Sequence, residues 1–328
     1  MALFVDFFKG KLKETAQTCW ILFKIMIPVS ILIKVLELTG SISYIGNILA
    51  PFMKVVGLPG EYAIVWGTGI ITNLYGGILA FVSISSTYPL TVAQATILTT
   101  MMLVAHNFFV ELKIATQSGV RFFPIFAIRF FGAVFIGMLL NMVYTMTNAY
   151  QNPSSISWVA KAKDPSLFGW LKGELSSYAK IFVIVFILIM IIYILKRLGV
   201  MDFFIRSLDP ILKILGIGGE VAHLTVIGMT LGLAYGGGLI IKEAQAGHIA
   251  RRDIFFAMAL MGLCHSVVED TLLMMSLGAS ITGVLLMRVI VAMVATWALV
   301  KWVGCLSNST VECFLIHPEK GTVPCSDQ

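Results

Sequence analysis

Charge is what these 328 residues have least of: Asp, Glu, Lys and Arg make up 12% of them, about half the share of a soluble domain. Hydrophobic residues make up 58% and the mean hydropathy is +0.93, so the chain cannot cover a water-facing surface, and a soluble fold is excluded. HExxH, GxSxG and G-x-x-x-x-G-K-[ST] are missing, and no polar stretch is long enough to house a catalytic domain; an enzyme is not expected, nor is a nucleotide-driven pump. The five cysteines (Cys19, Cys264, Cys305, Cys313, Cys325) form no CxxC pair, and no cofactor or resident metal is expected. Cys19 and Cys264 sit in apolar stretches, where cysteine acts as a small hydrophobe. The other three lie in a polar tail placed on the cytoplasmic side, where thiols stay reduced. The net charge of +6 comes without an aromatic–basic patch, which leaves out nucleic acid as a partner. The opening MALFVDFFKGKLKET is charged and amphipathic and lacks a small-residue cleavage site, unlike a signal peptide.

Long apolar runs are what the chain does have. Cys19–Leu38, Phe123–Thr145, Ile181–Leu195 with its flanks and Ile281–Val303 are each long enough to cross ~30 Å of hydrocarbon. The lipid bilayer is therefore the first expected partner.

Laid against itself with an offset of 159, the sequence repeats. LAPFMKVVGLPGEYA at 49–63 faces LDPILKILGIGGEVA at 208–222 with seven of fifteen positions identical. The same offset pairs Gly69 with Gly228, His106 with His265, Glu111 with Asp270 and Arg129 with Arg288, while YGG at 75–77 meets YGG at 235–237 after a one-residue slip. Each half reads as a spanning helix, an amphipathic segment, a Gly-broken apolar segment and two further spanning helices. In the first half these lie near 17–38, 43–56, 58–86, 92–117 and 122–146, and in the second near 177–197, 202–215, 217–242, 251–276 and 282–304. The expected fold is an all-α integral membrane protein of two inverted-topology repeats. Each repeat has three transmembrane helices, an amphipathic helix and a re-entrant helical hairpin. Residues 1–16 form a cytoplasmic amphipathic N-terminus, 17–146 and 177–304 the repeats, 147–176 an outside linker and 305–328 a cytoplasmic tail.

Basic residues set the orientation. If each Gly-broken segment returns to its own side, each half has three crossings and the second half is inverted. Sixteen Lys and Arg then lie on the cytoplasmic side and seven outside, as the positive-inside rule requires. The loop SISSTYPLT is uncharged while its equivalent, KEAQAGHIARRD, carries Lys242, Arg251 and Arg252, so the two should face opposite sides.

Glycine lets a chain turn and lets a ligand approach its backbone. The candidate hairpin breaks are Thr72-Asn73-Leu74-Tyr75-Gly76-Gly77 and Tyr235-Gly236-Gly237-Gly238; close packing by small residues is the competing explanation. If the helix 92–117 ends near Gln117, His106 lies ~16 Å deeper, close to the midplane, and His265 mirrors it. Asn107 and Ser266 stand beside them, and Glu269 lies one turn beyond His265. Two histidines at equivalent depth suggest a shared central site. Glu111 and Arg129 are equally far from the turn near Val120, as are Asp270 and Arg288 from the turn near Ala279, which predicts two ion pairs clasping neighbouring helices. Glu269 is then the acidic residue with no obvious partner and the candidate for ion or proton coupling. Glu61 and Glu220 each open a helix after a Gly-x-x-Gly turn, where the dipole favours a carboxylate, and are read as structural.

The segments GLPGEYA…NLYGG…AHNFFVE and GIGGEVA…LAYGGG…CHSVVED resemble the Gate, or nucleoside-recognition, domain of bacterial membrane proteins, over residues 17–146 and 177–304. That family includes spore maturation proteins A and B and the membrane region of ferrous-iron transporter B, and is related to concentrative nucleoside transporters. The resemblance implies helices and re-entrant hairpins around a central substrate site in a bacterial cell (inner) membrane; the basic residues place both termini on its cytoplasmic side. Carried onto this chain, the substrate-binding residues are Asn73, Tyr75, Gly76, Gly77, His106, Asn107, Tyr235, Gly236, Gly237, His265 and Ser266. The acidic hairpin motif of the nucleoside transporters and any GTP-binding domain are absent.

The leading expectation is thus a secondary transporter of a small, nucleoside-like solute, coupled to an ion or proton gradient, working as a monomer or a homo-oligomer. One alternative is divalent-cation permeation with His106, His265, Glu269 and Asp270 as ligands. Another is a membrane assembly or signalling component, which would tolerate loss of both histidines. Single cysteines introduced at positions 87 and 247 of a cysteine-free chain should be labelled from outside and from inside, respectively; labelling of both from one side would refute the inverted arrangement.

Overall fold

In an environment without water a chain must satisfy its own backbone N–H and C=O groups, and an unbroken helix does so within one segment. The computed structural model describes residues 2–154, 166–217, 219–247 and 249–317. Regular structure among them is helical, apart from isolated β-bridges between Thr91 and Pro153 and between Val120 and Ile316. The first half comprises α1 (Ala2–Leu38), α2 (Ser41–Val55), α3 (Tyr62–Ile71), α4 (Leu74–Ser85), α5 (Val92–Val104), α6 (Phe108–Gln117) and α7 (Phe122–Thr147). The second comprises α8 (Leu167–Arg197), α9 (Val200–Ile214), α10 (Gly219–Leu231), α11 (Leu233–Ala246), α12 (Arg251–Leu263) and α13 (Glu269–Met275). A π-helical stretch, Thr282–Met287, then runs into α14 (Arg288–Gly304), and α15 (Asn308–Phe314) follows. Both boundaries of α2 and α9, and both of α5 and α12, differ by 159 residues. The sequence repeat is therefore a repeat of secondary structure.

Four helical stretches among the described residues are long and apolar enough to cross a membrane: Val92–Gln117, Phe122–Thr147, Leu167–Leu195 and Thr282–Gly304. They differ in what surrounds them. The Val92–Gln117 stretch is 83% buried inside the protein, whereas Leu167–Leu195 is 12% buried, so the first is a core element and the second faces outward. Phe131, Phe135, Met142, Ile290, Val294 and Trp297 stand exposed on α7 and α14. An apolar surface of this extent is the lipid-facing surface of a membrane protein. Beyond Gly40, whose φ of 69° permits a sharp turn, the chain bends by 91° from the end of α1 into α2. There Tyr44, Ile48, Phe52 and Val55 form an exposed apolar stripe opposite the buried Ile42, Gly46 and Met53, the amphipathic segment read from the sequence.

The pairs α3–α4 and α10–α11 are the two helical hairpins. With 10 and 12 residues, α3 and α4 are about 15 and 18 Å long, roughly half the hydrocarbon thickness. The first breaks at Thr72–Asn73, inside the expected 72–77 segment, and the Asn73 side chain caps α4 by accepting the Gly76 N–H at 2.9 Å. The second breaks at Gly232, with φ 98°, and not at 235–238 as expected: Tyr235, Gly236, Gly237 and Gly238 lie within the first turns of α11. Asn73 and Gly232 are equivalent at the offset of 159, so the one-residue slip that aligned the two YGG motifs is not followed by the backbone. Close approach explains these glycines. A Cβ on Gly77 would lie 3.2 Å from the Gly69 Cα and 2.6 Å from the Met102 methyl, and one on Gly236 would collide with Gly228. The hairpin legs cross at Gly69–Gly77 and Gly228–Gly236, two pairs in register.

The halves differ in one stretch of packing. Phe130 stacks on both Phe126 and Trp66, and Phe108 meets Phe126 edge-on. Their equivalents Val267, Leu285 and Val289 instead line an apolar groove of about 240 Å³ that opens beside the exposed Leu286 and Ile290. The expected tail is also partly built into the fold: the Arg121 N–H donates to Leu315 O, His317 N–H to Gly119 O, and Arg251 Nη1 to His317 O. Within it Cys305 is free but Cys313 is disulfide-bonded, against the expectation of reduced thiols there, which came from placement alone.

Gly236→Ala should destabilise the protein by about 1–3 kcal/mol through overpacking, while Gly238→Ala, whose Cβ meets nothing within 4 Å, should not. Thermal unfolding in detergent would compare them; equal effects would sink the leg-crossing account.

Candidate central site

The helices expected at 92–117 and 251–276 are both interrupted, at the histidines. α5 stops at Val104 and α6 starts at Phe108; α12 stops at Leu263 and α13 starts at Glu269. Asn107 and Ser266, equivalent residues, turn the chain with φ of 51° and 46°, a conformation uncommon outside glycine. Each break is tied to the neighbouring hairpin: Asn107 N–H donates to Gly69 O at 2.9 Å, and Val267 N–H to Met229 O at 2.8 Å.

Such a break leaves backbone carbonyls without their helical donors. Two arginines from adjacent helices supply them. Arg129 on α7 donates from Nε to Val104 O at 3.0 Å and from Nη2 to His106 O at 2.9 Å. Arg288, at the start of α14, donates from Nε to Leu263 O at 3.3 Å and from Nη2 to His265 O at 2.7 Å. Both side chains are 1% exposed. A planar guanidinium can cap two carbonyls at once, which an ammonium cannot match in geometry.

The imidazoles of His106 and His265 face each other with ring centroids 5.2 Å apart. Their Nδ1 atoms lie 2.8 Å from Met102 O and 2.7 Å from Met261 O, one turn earlier in each helix. A carbonyl oxygen only accepts, so each Nδ1 carries the hydrogen and each Nε2 points to the centre. Glu111 Oε1 lies 3.2 Å from the His106 Nε2 and 3.5 Å from the His265 Nε2, and its Oε2 lies 2.7 Å from Arg129 Nη1.

The expected clasps divide accordingly. Glu111 and Arg129 are within ion-pair distance; Asp270 and Arg288 are not. Asp270 Oδ2 and Arg288 Nη1 are each buried without a hydrogen-bond partner. Aspartate is one methylene shorter than glutamate, and Arg288 Nη2 also reaches toward Leu103 O in the other half, at 3.5 Å. Glu269, expected to lack a partner, is half-buried and has one; near the histidines, Asp270 is a buried carboxylate that has an oxygen without a hydrogen-bond partner and is in no ion pair with Arg288.

Of the other expected site residues, Asn107 and Ser266 are half-buried at the breaks, with Ser266 Oγ beside Gly232. Asn73, Gly76, Gly77 and Gly236 serve their own hairpins, whereas Gly237 lets α11 approach Ile114 on α6 of the other half; Tyr75 is half-buried on α4, and the side chain of Tyr235 lies outside the described residues. Glu61 precedes α3 without a side-chain cap bond, and the side chain of Glu220 is also outside the described residues. Residues not anticipated are Met102 and Met261, whose carbonyls orient the imidazoles and whose side chains pack at the hairpin crossings. The signal was available, since each stands four residues before its histidine at the offset of 159.

The family described as Gate, nucleoside recognition, matches residues 19–119 and 178–297, one stretch in each half. An uncharacterized membrane protein of Bacillus subtilis (strain 168), YvoD, is 32% identical over 294 residues, covering 87% of this chain and 93% of its own length. No solved structure matches.

Carbonyl capping and ion pairing make different demands of the two arginines. If capping dominates, Arg288→Gln should cost about 3 kcal/mol or more, from two charge-assisted hydrogen bonds, although Arg288 has no carboxylate partner. Arg288→Lys should not restore the loss. A near-neutral Arg288→Gln beside a severe Arg129→Gln, measured by chemical denaturation in detergent, would assign the clasp to the ion pair instead.

Proposed function

The chain belongs to the Gate family, and on that footing we propose that it is a secondary transporter, moving a small solute through the buried site where its two halves meet. The observation that carries this reading is the approach of two helix breaks, one from each half, that sets His106 and His265 face to face. Interrupted helices inside a membrane are tolerated where protein or a polar path satisfies them, and transporters bind their cargo at such places. Buried ionisable groups in apolar helices are costly and mark pathways for ions, protons or solutes. The family is associated with transport and not with catalysis.

In this reading the halves are inverted repeats in the cell inner membrane, with both termini cytoplasmic, and the hairpins open and close access to the centre. Asn107 and Ser266 at the breaks, with Asn73 and Tyr75 near the tip of the first hairpin, are the polar groups proposed to contact solute. The imidazoles, with Glu269 at the start of α13, are proposed to couple movement to an ion or proton gradient, imidazole being the side chain that changes charge nearest neutral pH. Nucleosides are the first solutes to try, since the family description names their recognition.

Purified protein in lipid vesicles should take up a labelled nucleoside or another small metabolite under an imposed proton or sodium gradient. Uptake should fall at least tenfold in His106→Ala and in His265→Ala. Uptake unchanged without either imidazole would remove the central site from the path, and no uptake of any solute would favour an assembly or signalling role.

A further inference from the structure

The centre of the molecule gathers four acceptor groups, and the donor within ion-pair reach of them, Arg129 Nη1, meets the outer oxygen of Glu111 and not the atoms that face inward. The Nε2 atoms of His106 and His265 both point inward because their Nδ1 hydrogens are committed to Met102 O and Met261 O. In the neutral imidazoles these Nε2 atoms carry lone pairs, and they face Glu111 Oε1 at 3.2 and 3.5 Å. Asp270, 8% exposed, adds a buried Oδ2 with no hydrogen-bond partner. One ligand atom from each of His106, His265 and Asp270 lies within 4.8 Å of the others. Acceptors held this close repel one another unless a cation stands among them.

We infer that His106, His265 and Asp270, with Glu111 as a fourth oxygen donor, form a binding site for one divalent transition-metal ion that joins the two halves of the protein. The donor set suits such an ion: imidazole nitrogen and carboxylate oxygen together favour zinc, manganese or iron over calcium or magnesium, which take oxygen alone. The backbone bonds from each Nδ1 are the supports that metal-binding histidines ordinarily have. Asp270 and Glu111 bring two negative charges to the ion, and the buried Arg129 and Arg288 direct their own charge to the surrounding carbonyls and, for Arg129, to the outer oxygen of Glu111 at 2.7 Å. Ligand atoms bonded at about 2.0–2.2 Å to one tetrahedral ion lie ~3.4 Å apart, so a set held within 4.8 Å closes around the ion by side-chain shifts of up to ~1.4 Å between its widest members. The inference concerns binding and stands apart from the transport reading; a bound ion joins residues of both halves whether or not it is carried.

The test is calorimetric titration of the full chain, purified in detergent and stripped with a chelator, with zinc and then manganese. One ion per chain should bind, and affinity should fall at least tenfold in His106→Ala, His265→Ala and Asp270→Asn but not in His223→Ala, which removes an exposed imidazole. Asp270→Asn keeps the side chain's size, so it serves if a histidine variant does not fold. X-ray absorption on the metal-loaded parent should show nitrogen and oxygen neighbours at about 2.0–2.2 Å. No binding by the parent would overturn the inference and leave a proton as the central cation. Binding of equal strength in folded Asp270→Asn and His265→Ala would overturn it too.

Discussion

A helix that stops in the middle of a membrane strands carbonyl oxygens where no water can reach them, and the two arginines that receive those oxygens hold this structure's centre together. Arg129 and Arg288 each donate to one carbonyl before the break and one within it. These bonds satisfy carbonyls that the interrupted helices leave without a backbone donor. With them, the interruption costs little and the imidazoles turn inward. The arginines themselves are affordable at this depth because the carbonyls, and for Arg129 a carboxylate, replace the water they give up.

Around this centre the hairpins provide the remaining backbone satisfaction. Each break also sends one N–H to a hairpin leg, to Gly69 O in one half and Met229 O in the other. The legs can come this near because glycine meets glycine where they cross. Hairpin, break and arginine are thus three parts of one arrangement, built twice and meeting at the histidine rings.

Much of this was legible in the sequence because a repeat constrains both copies. The offset of 159 located His106 with His265 and Arg129 with Arg288. What escaped was tertiary. Nothing in AHNFFVE or CHSVVED forbids a continuous helix; at each interruption an arginine more than twenty residues further on donates to the carbonyls left there. Gly232 was overlooked in favour of the YGG motif, since composition cannot tell a glycine that turns from a glycine that lets two helices touch. Equal spacing suggested two ion pairs, but the shorter Asp270 does not make the second. The contribution of the tail, through Leu315 and His317, depends on contacts far apart in sequence and had no local sign.

The aromatic stack of the first half and the apolar groove at the same place in the second have a mechanical meaning. Trp66, Phe126 and Phe130 leave that side one way to fit together, and close-packed aromatic surfaces resist deformation. Val267, Leu285 and Val289 instead border an open apolar groove of about 240 Å³, so the second half lacks that interlocked stack. Twins in sequence are thus packed to different tightness at the same place in the fold.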